Sequence, residues 1–212
     1  MTRYDDLVSK LLSIYEQTRG DEQYWLGLVG APGSGKSTVA DELRKRLTGK
    51  LTVIPMDGYH FPRKKLDSME NPVEAHARRG APFTFDSARL VDELRDARKS
   101  GFGQFPSFDH VVGDPIENDI ELLPGKQIVV VEGNYLLLDR RPWSLLPTEV
   151  FDEMWFLDVP TDECFRRVEA RHVRTGLTRE EAQHRVATND GPNAALVRES
   201  KNRADWQFVL TG

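Results

Sequence analysis

Tyr24-Trp25-Leu26-Gly27-Leu28-Val29 runs straight into Gly30-Ala31-Pro32-Gly33-Ser34-Gly35-Lys36-Ser37, and beyond Thr38 the residues Val39, Leu43 and Leu47 recur at helical spacing. The first block reads as a buried strand, the second as a complete G-x-x-x-x-G-K-S phosphate-binding loop, and the third as the helix that follows it. Polyphosphate needs many hydrogen-bond donors at short range and a positive field. Glycines let the backbone curl so that successive N–H groups point inward. Lys36 can reach the β- and γ-phosphates, the Ser37 hydroxyl can hold Mg²⁺, and the helix start adds its positive dipole end. Gly30, Ala31, Gly33, Ser34, Gly35, Lys36, Ser37 and Thr38 are therefore expected to bind the phosphates of a nucleotide. A Gly/Ser-rich turn with no ligand is the alternative, and the strand-loop-helix context argues against it.

Working outward, Tyr4, Leu7, Leu11, Ile14, Tyr15 and Thr18 sit at helical spacing before Gly20 and predict an amphipathic opening helix. Leu51–Met56 reads as a second buried strand. Residues 128–131 (Ile-Val-Val-Val) form the clearest strand, apolar throughout as in a parallel sheet covered on both faces. Met154–Val159 and Trp206–Leu210 are two further strands. Asp86 is placed to cap a helix carrying Leu90, Leu94 and Ala97. A helix with Cys164, Phe165 and Val168 follows Pro160. Thr178 and Glu181 make a capping box for the next, which Gly191-Pro192 is expected to break. Strands alternating with helices predict an α/β fold. We expect a P-loop NTPase fold with a five-stranded parallel sheet, helices on both faces and a small helical lid. Residues 58–85 and 100–126 read as long irregular loops, and loops of that length are often functional.

The chain has 212 residues, enough for one domain with a substantial core. Its net charge of −5 argues against a nucleic-acid-coating role. Basic residues nevertheless cluster at Arg63-Lys64-Lys65, at Arg78-Arg79 and between Arg166 and Arg174. A single cysteine, Cys164, excludes an internal disulfide and a cysteine-rich zinc site, and it reads as a small packed residue. No apolar run resembles a signal peptide or could span a membrane, so a cytoplasmic enzyme with no membrane partner is expected.

Several residues could carry chemistry. Asp57 stands directly after the second strand, over the carboxyl edge where α/β proteins bind ligands. A carboxylate there could take the proton of an acceptor hydroxyl, or it could simply be the turn residue of Asp57-Gly58. Glu132 ends the apolar run and could hold a magnesium-bound water, or be an ordinary strand-end charge. Arg167, Arg171 and Arg174 are read as lying between two helical segments, with Gly176 as a hinge. An arginine on a mobile lid could neutralise charge on the transferred phosphoryl group. Tyr59, His60, Phe108, Asp109 and His110 could line an acceptor pocket. His76, His172 and His184 show no metal-ligand spacing and read as surface residues. The four tryptophans, Trp25, Trp143, Trp155 and Trp206, read as core or half-buried.

The phosphate loop, Met56-Asp57-Gly58-Tyr59-His60, Arg79-Gly80-Ala81-Pro82, Phe85-Asp86, Phe108-Asp109-His110 and Val131-Glu132-Gly133 occur here in this order. The pattern resembles the uridine kinase, phosphoribulokinase and bacterial pantothenate kinase superfamily, over about residues 22–210. Asn134-Tyr135-Leu136-Leu137-Leu138 and Asn189-Asp190-Gly191-Pro192-Asn193-Ala194 are similar to a bacterial branch, with fungal relatives, often labelled as kinases of fructose transport systems or simply as nucleoside/nucleotide kinase-like. The resemblance implies ATP-dependent phosphorylation of a small-molecule hydroxyl. It implies Asp57 as the base, Lys36 and Ser37 as phosphate and Mg²⁺ ligands, and Glu132 as the acidic residue near metal and substrate. It further implies Arg171 as a catalytic lid residue and Arg174 as a nucleotide contact, within a lid at about 167–178. Tyr59, His60, Arg79, Asp109 and His110 fall on the acceptor side. Phe108 stands where several relatives carry tyrosine, which removes a hydroxyl from a uridine-type or pantothenate-type pocket.

The expected activity is thus a kinase acting on a nucleoside, a sugar or a pantothenate-like compound. A GTP switch is the second reading, against which the missing N-K-x-D motif counts. A nucleotide-binding regulator without turnover is the third, against which the pair Asp57 and Glu132 counts.

Overall fold

Alternate residues of the central strands face two different cores, and this sets the layering of the molecule. The computed structural model describes residues 2–109 and 111–210. In chain order the elements are α1 (Tyr4–Gln17), β1 (Gln23–Val29), α2 (Lys36–Arg46), β2 (Leu51–Pro55), α3 (Arg63–Leu66), α4 (Pro72–Ala77), α5 (Ser87–Ser100), β3 (Gly103–Asp109) and β4 (Asp114–Leu122). They continue with β5 (Gln127–Gly133), α6 (Leu146–Glu149), β6 (Glu153–Leu157), α7 (Thr161–Arg174), α8 (Arg179–Arg185), α9 (Gly191–Glu199) and β7 (Trp206–Phe208).

Among the described residues the main sheet has five strands in the order β2-β5-β1-β6-β7. Each neighbouring pair is parallel. Along β5, Ile128 and Val130 pack with Leu7, Leu11, Val39 and Leu43 under α1 and α2. Val129 and Val131 pack with Leu90 and Leu94 of α5 on the opposite face. A strand covered on both sides has no polar positions to alternate with, hence its continuous apolar reading. Each such side chain taken from water contributes roughly 1.5–3 kcal/mol. Gly27 is small for a packing reason, since a Cβ there would lie 2.4 Å from Met154 Sδ on β6.

Capping follows the sequence. Asp86 accepts from the Arg89 backbone N–H at 3.1 Å and starts α5. Thr178 and Glu181 form the expected capping box of α8.

Three expectations need correction. Residues 100–126 are not a loop. Most of them form the antiparallel pair β3–β4, a separate two-stranded sheet. Its strands carry Pro106 and Pro115, and β4 exposes most of its side chains, so no apolar alternation marks it. Between Asp57 and Phe85 the chain is likewise not merely irregular, since it makes α3, α4 and two single 3-10 turns. Gly191-Pro192 does not break the helix that begins at Arg179. The chain stays helical through a π turn at Val186–Asp190, where the Gly191 N–H reaches the Val186 carbonyl, and then runs on as α9. The wider turn absorbs a proline that a regular α-helical ladder would reject.

Candidate active site

The phosphate loop connects β1 to α2, which begins at Lys36. Gly33 (φ +81°) and Gly35 (φ +91°) both adopt left-handed backbone. A Cβ on Gly33 would sit 2.3 Å from the carbonyl oxygen of Cys164, so the loop is pressed against the first turns of α7. Ser34 is buried, and its Oγ has no hydrogen-bond partner among the described residues. A buried hydroxyl left unspent costs free energy unless a ligand oxygen meets it, which is what a phosphate in this cradle would do. Arg167 braces the loop from outside. Its Nη1 donates to the Ser34 carbonyl at 3.2 Å and its Nε to Glu163 Oε1 at 2.6 Å.

Directly after the loop, Ser37 Oγ donates to Glu132 Oε1 at 2.9 Å. Glu132 sits near the end of β5 and is buried. Burial pushes its carboxyl above the ordinary carboxylate range; the Lys36 ammonium opposes that shift and the Asp57 charge adds to it. A cation here would relieve the buried charge. Among the described residues no group of three His, Cys, Asp or Glu assembles around a common point. Mg²⁺ does not need one, because it takes most of its six oxygens from phosphates and water. One hydroxyl and one carboxylate beside a phosphate loop fit it.

Asp57 lies in a 3-10 turn, Met56–Tyr59, at the carboxyl end of β2. The turn is closed by the His60 backbone N–H on the Asp57 carbonyl at 3.1 Å. His60 Nδ1 is 2.8 Å from the same carbonyl oxygen. A carbonyl only accepts, so Nδ1 carries the proton. Gly58 is seated on the hairpin: a Cβ there would be 2.1 Å from the Pro106 carbonyl oxygen. Asp57, Glu132 and Ser37 share one cavity of about 510 Å³ with Thr52, Ser107 and Phe108. That is the size range of small-molecule sites.

The other sequence candidates are placed differently. Tyr59 does not face this cavity. It is buried in the core, and its hydroxyl donates to Glu93 Oε2 at 2.7 Å. His60 packs at a tilt against both Phe85 and Phe108, with centroids 3.9 and 4.9 Å away. Arg79 donates to the carbonyls of Gly113 and Phe61 and to Asp114 Oδ1, and it lies over the Phe108 ring. It therefore ties the tip of the β3–β4 hairpin to the loop after Asp57. Asp109 Oδ1 accepts from the backbone N–H groups of Val111 and Val112 in the hairpin turn. His110 lies outside the described residues. Arg171 and Arg174 are on α7 itself, exposed, rather than between helices, and Gly176 (φ +109°) makes the turn into α8. With Arg167 they share a face at i, i+4 and i+7.

Sequence reading missed a buried polar network at the π turn and the start of α9. Asn189, Asp190 and Asn193 are all buried. Asn189 Nδ2 donates to the Arg79 carbonyl at 2.9 Å and Arg78 Nε donates to Asn189 Oδ1 at 3.1 Å. His172 Nε2 pairs with Asp190 Oδ2 at 2.8 Å, so His172 is mostly buried and not the surface residue expected. Tyr135 Oη donates to the Gly80 carbonyl at 2.6 Å. The run Asn189–Ala194 was the available signal, but its partners Arg78 and Arg79 lie more than a hundred residues away.

A family model described as an AAA domain matches residues 26–187, from within β1 to the π turn. The chain belongs to this P-loop family. A Schizosaccharomyces pombe protein named as a candidate uridine kinase is 36% identical over 223 residues, covering 99% of this chain and 91% of the relative. An ATP-dependent kinase-like protein from Aspergillus versicolor is 40% identical over 166 residues, covering 74% of this chain and 94% of its own length. Among solved structures, a candidate fructose transport system kinase from Silicibacter sp. TM1040 superimposes with a TM-score of 0.86 at 29% identity, covering 98% of this chain and all of that one. These likenesses bear out the kinase superfamily that the motifs resemble and the fold expected for it. Among the described residues no helix is long and apolar enough to cross a membrane.

Proposed function

We propose that this P-loop protein is an ATP-dependent kinase that phosphorylates a hydroxyl of a small molecule. The observation that carries the reading is that Asp57 and the Ser37–Glu132 corner wall a single cavity next to the phosphate loop. A phosphate loop by itself serves switches and motors equally well. A carboxylate across a small cavity from the metal corner suits transfer to an acceptor.

In this reading ATP lies along residues 30–38, with Lys36 on its terminal phosphates. Ser37 and Glu132 hold Mg²⁺, which supplies charge neutralisation on the phosphate oxygens. The acceptor hydroxyl gives its proton to the Asp57 carboxylate. Its oxygen forms a bond to the γ-phosphorus as the bond to the β–γ bridging oxygen breaks, and ADP leaves. Arg171 and Arg174 lie along the α7 face that starts at the Arg167 brace and form the lid side of the site. His60, Arg79 and Asp109 belong to the acceptor side, mostly as the scaffold of the hairpin. Nucleosides, free sugars and pantothenate-like compounds are the acceptors to test.

The decisive experiment is an ATP-consumption screen over those compounds with the wild-type chain and Asp57→Asn. A general base contributes about 10²- to 10⁴-fold, so the variant loses turnover on that scale while binding ATP nearly as before. Undiminished turnover in Asp57→Asn removes the base. Tight ATP binding with no acceptor phosphorylated turns the reading toward a nucleotide-binding regulator.

A further inference from the structure

The β3–β4 hairpin is not regular where it borders the cavity. Phe105 pairs with Ile120 and Ser107 with Ile116, so Pro106 stands opposite a bulge made of Glu117, Asn118 and Asp119. Asn118 takes a left-handed φ of 55°. Bulges of this kind re-aim a side chain next to an active site. Here the next residue, Asp119, lines the cavity that contains Asp57 and Glu132.

The bulge is also wired to the turn that carries Asp57. Tyr59 Oη donates to Glu93 Oε2 at 2.7 Å, and Arg89 Nε donates to Glu93 Oε1 at 2.7 Å. The same Arg89 grips Glu117 with both Nη groups, at 2.9 and 2.6 Å. From the other side, Gly58 seats the turn against Pro106. One continuous set of contacts therefore holds Asp57 and Asp119 in a defined relation across the cavity.

The charges of the walls narrow what can fill it. The ionisable groups lining it are Asp41, Asp57, Asp119 and Glu132 against Arg44. Asp41 and Arg44 pair with each other at 3.1 Å. Glu132 belongs to the metal corner and Asp57 to the reacting hydroxyl. Asp119 is left with no cation paired to it among the described residues. Arg79, the cation expected on the acceptor side, is committed to Asp114 and the hairpin tip.

We propose that Asp119 is a specificity-determining residue that accepts a hydrogen bond from a second hydroxyl of the acceptor. The acceptor is a hydroxyl-rich compound, of the free sugar or nucleoside class, that carries no phosphate or carboxylate. This rests on the kinase reading of the same cavity and selects among its acceptors. Asp119 is an exposed residue of β4 on the cavity wall, and a phosphate or carboxylate placed against it meets like charge, which disfavours it.

The test measures binding rather than turnover. The full chain is loaded with Mg²⁺ and a non-hydrolysable ATP analogue. Nucleosides, free sugars, their phosphate esters and hydroxy acids are then titrated by calorimetry. We expect an uncharged compound to bind, with its phosphorylated or carboxylated counterpart bound at least about tenfold more weakly. Asp119→Asn, which keeps shape and removes charge, weakens the uncharged compound by about tenfold or more and leaves analogue binding within about twofold. Asp119→Lys brings the anionic counterparts level with the uncharged one or above it. The inference is overturned if anionic alcohols bind best to wild type, if Asp119→Asn holds the compound as tightly as wild type, or if no compound binds. Asp119-dependent binding without phosphate transfer under ATP overturns the kinase reading and leaves this one standing.

Discussion

Ser37 Oγ and Glu132 Oε1, 95 positions apart in sequence, are 2.9 Å apart in the fold. This bond joins the first turn of α2 to the end of β5 and places a buried carboxylate beside the phosphate loop. Glu132→Gln keeps a hydrogen-bond acceptor for Ser37 but removes the charge. Mg²⁺ dependence is expected to weaken, with about tenfold more Mg²⁺ needed for half-maximal nucleotide binding, as lost metal contacts cost. A magnesium titration at fixed nucleotide reads this directly.

The same substitution carries a pH signature. Folding raises the Glu132 carboxyl, so the nucleotide-free native state holds its proton to higher pH than the unfolded chain does. Stability from this group is therefore greatest at low pH and falls as pH rises through the carboxylate range, by about 1.4 kcal/mol for each unit of the shift. Glu132→Gln removes that loss. The nucleotide-free variant should be at least as stable as wild type at neutral pH, and the difference should shrink on acidification. Denaturant unfolding at several pH values measures it. A variant less stable at neutral pH would mean that Lys36 already neutralises the carboxylate.

Gly33→Ala combines two penalties. An L-residue at φ +81° pays the left-handed cost, and its Cβ would meet the Cys164 carbonyl oxygen at 2.3 Å. We expect a loss of about 2–5 kcal/mol and no measurable ATP binding. Thermal unfolding with and without Mg·ATP checks both, since wild type is stabilised by the nucleotide and the variant is not.

The arginines of α7 should separate by role. Arg167 touches the loop at the Ser34 carbonyl, whereas Arg171 lies one turn further along the same helix. Arg167→Ala is expected to weaken ATP binding by about tenfold, the size of a charged hydrogen bond. Arg171→Ala is expected to leave binding close to wild type and lower kcat by about 10²-fold or more. Nucleotide titration and steady-state kinetics on the two variants decide whether the lid assignment holds or must pass to Arg167.

Tyr59 gives a sharp contrast between core and pocket. Its hydroxyl is tied to Glu93 and its ring is buried. Tyr59→Phe should cost about 1 kcal/mol of stability and move the acceptor KM by less than about threefold, because the Arg89–Glu117 clamp remains. A tenfold rise in KM would return Tyr59 to the acceptor wall.

The donor half of the site was legible because it is local. Gly33, Gly35, Lys36 and Ser37 act within one turn of chain, where residue spacing and backbone conformation determine geometry. The sheet was legible for a related reason, as strands covered on both faces must be apolar throughout, and Ile128–Val131 announces this without any knowledge of its neighbours. The half proposed for the acceptor depends on contacts between distant segments. Tyr59 and Asp57 are two residues apart, yet one joins the core and the other the cavity, because a 3-10 turn seated on Pro106 rotates them to different sides. The β3–β4 hairpin has exposed, proline-bearing strands whose pairing no periodicity betrays, and its bulge puts Asp119 on the wall of the cavity that Asp57 also lines. Sequence alone thus determined the family, the sheet and the nucleotide end. Only the tertiary structure decided which side chains line the cavity beside the phosphate loop, since that choice rests on packing between segments and not on the preferences of any one of them.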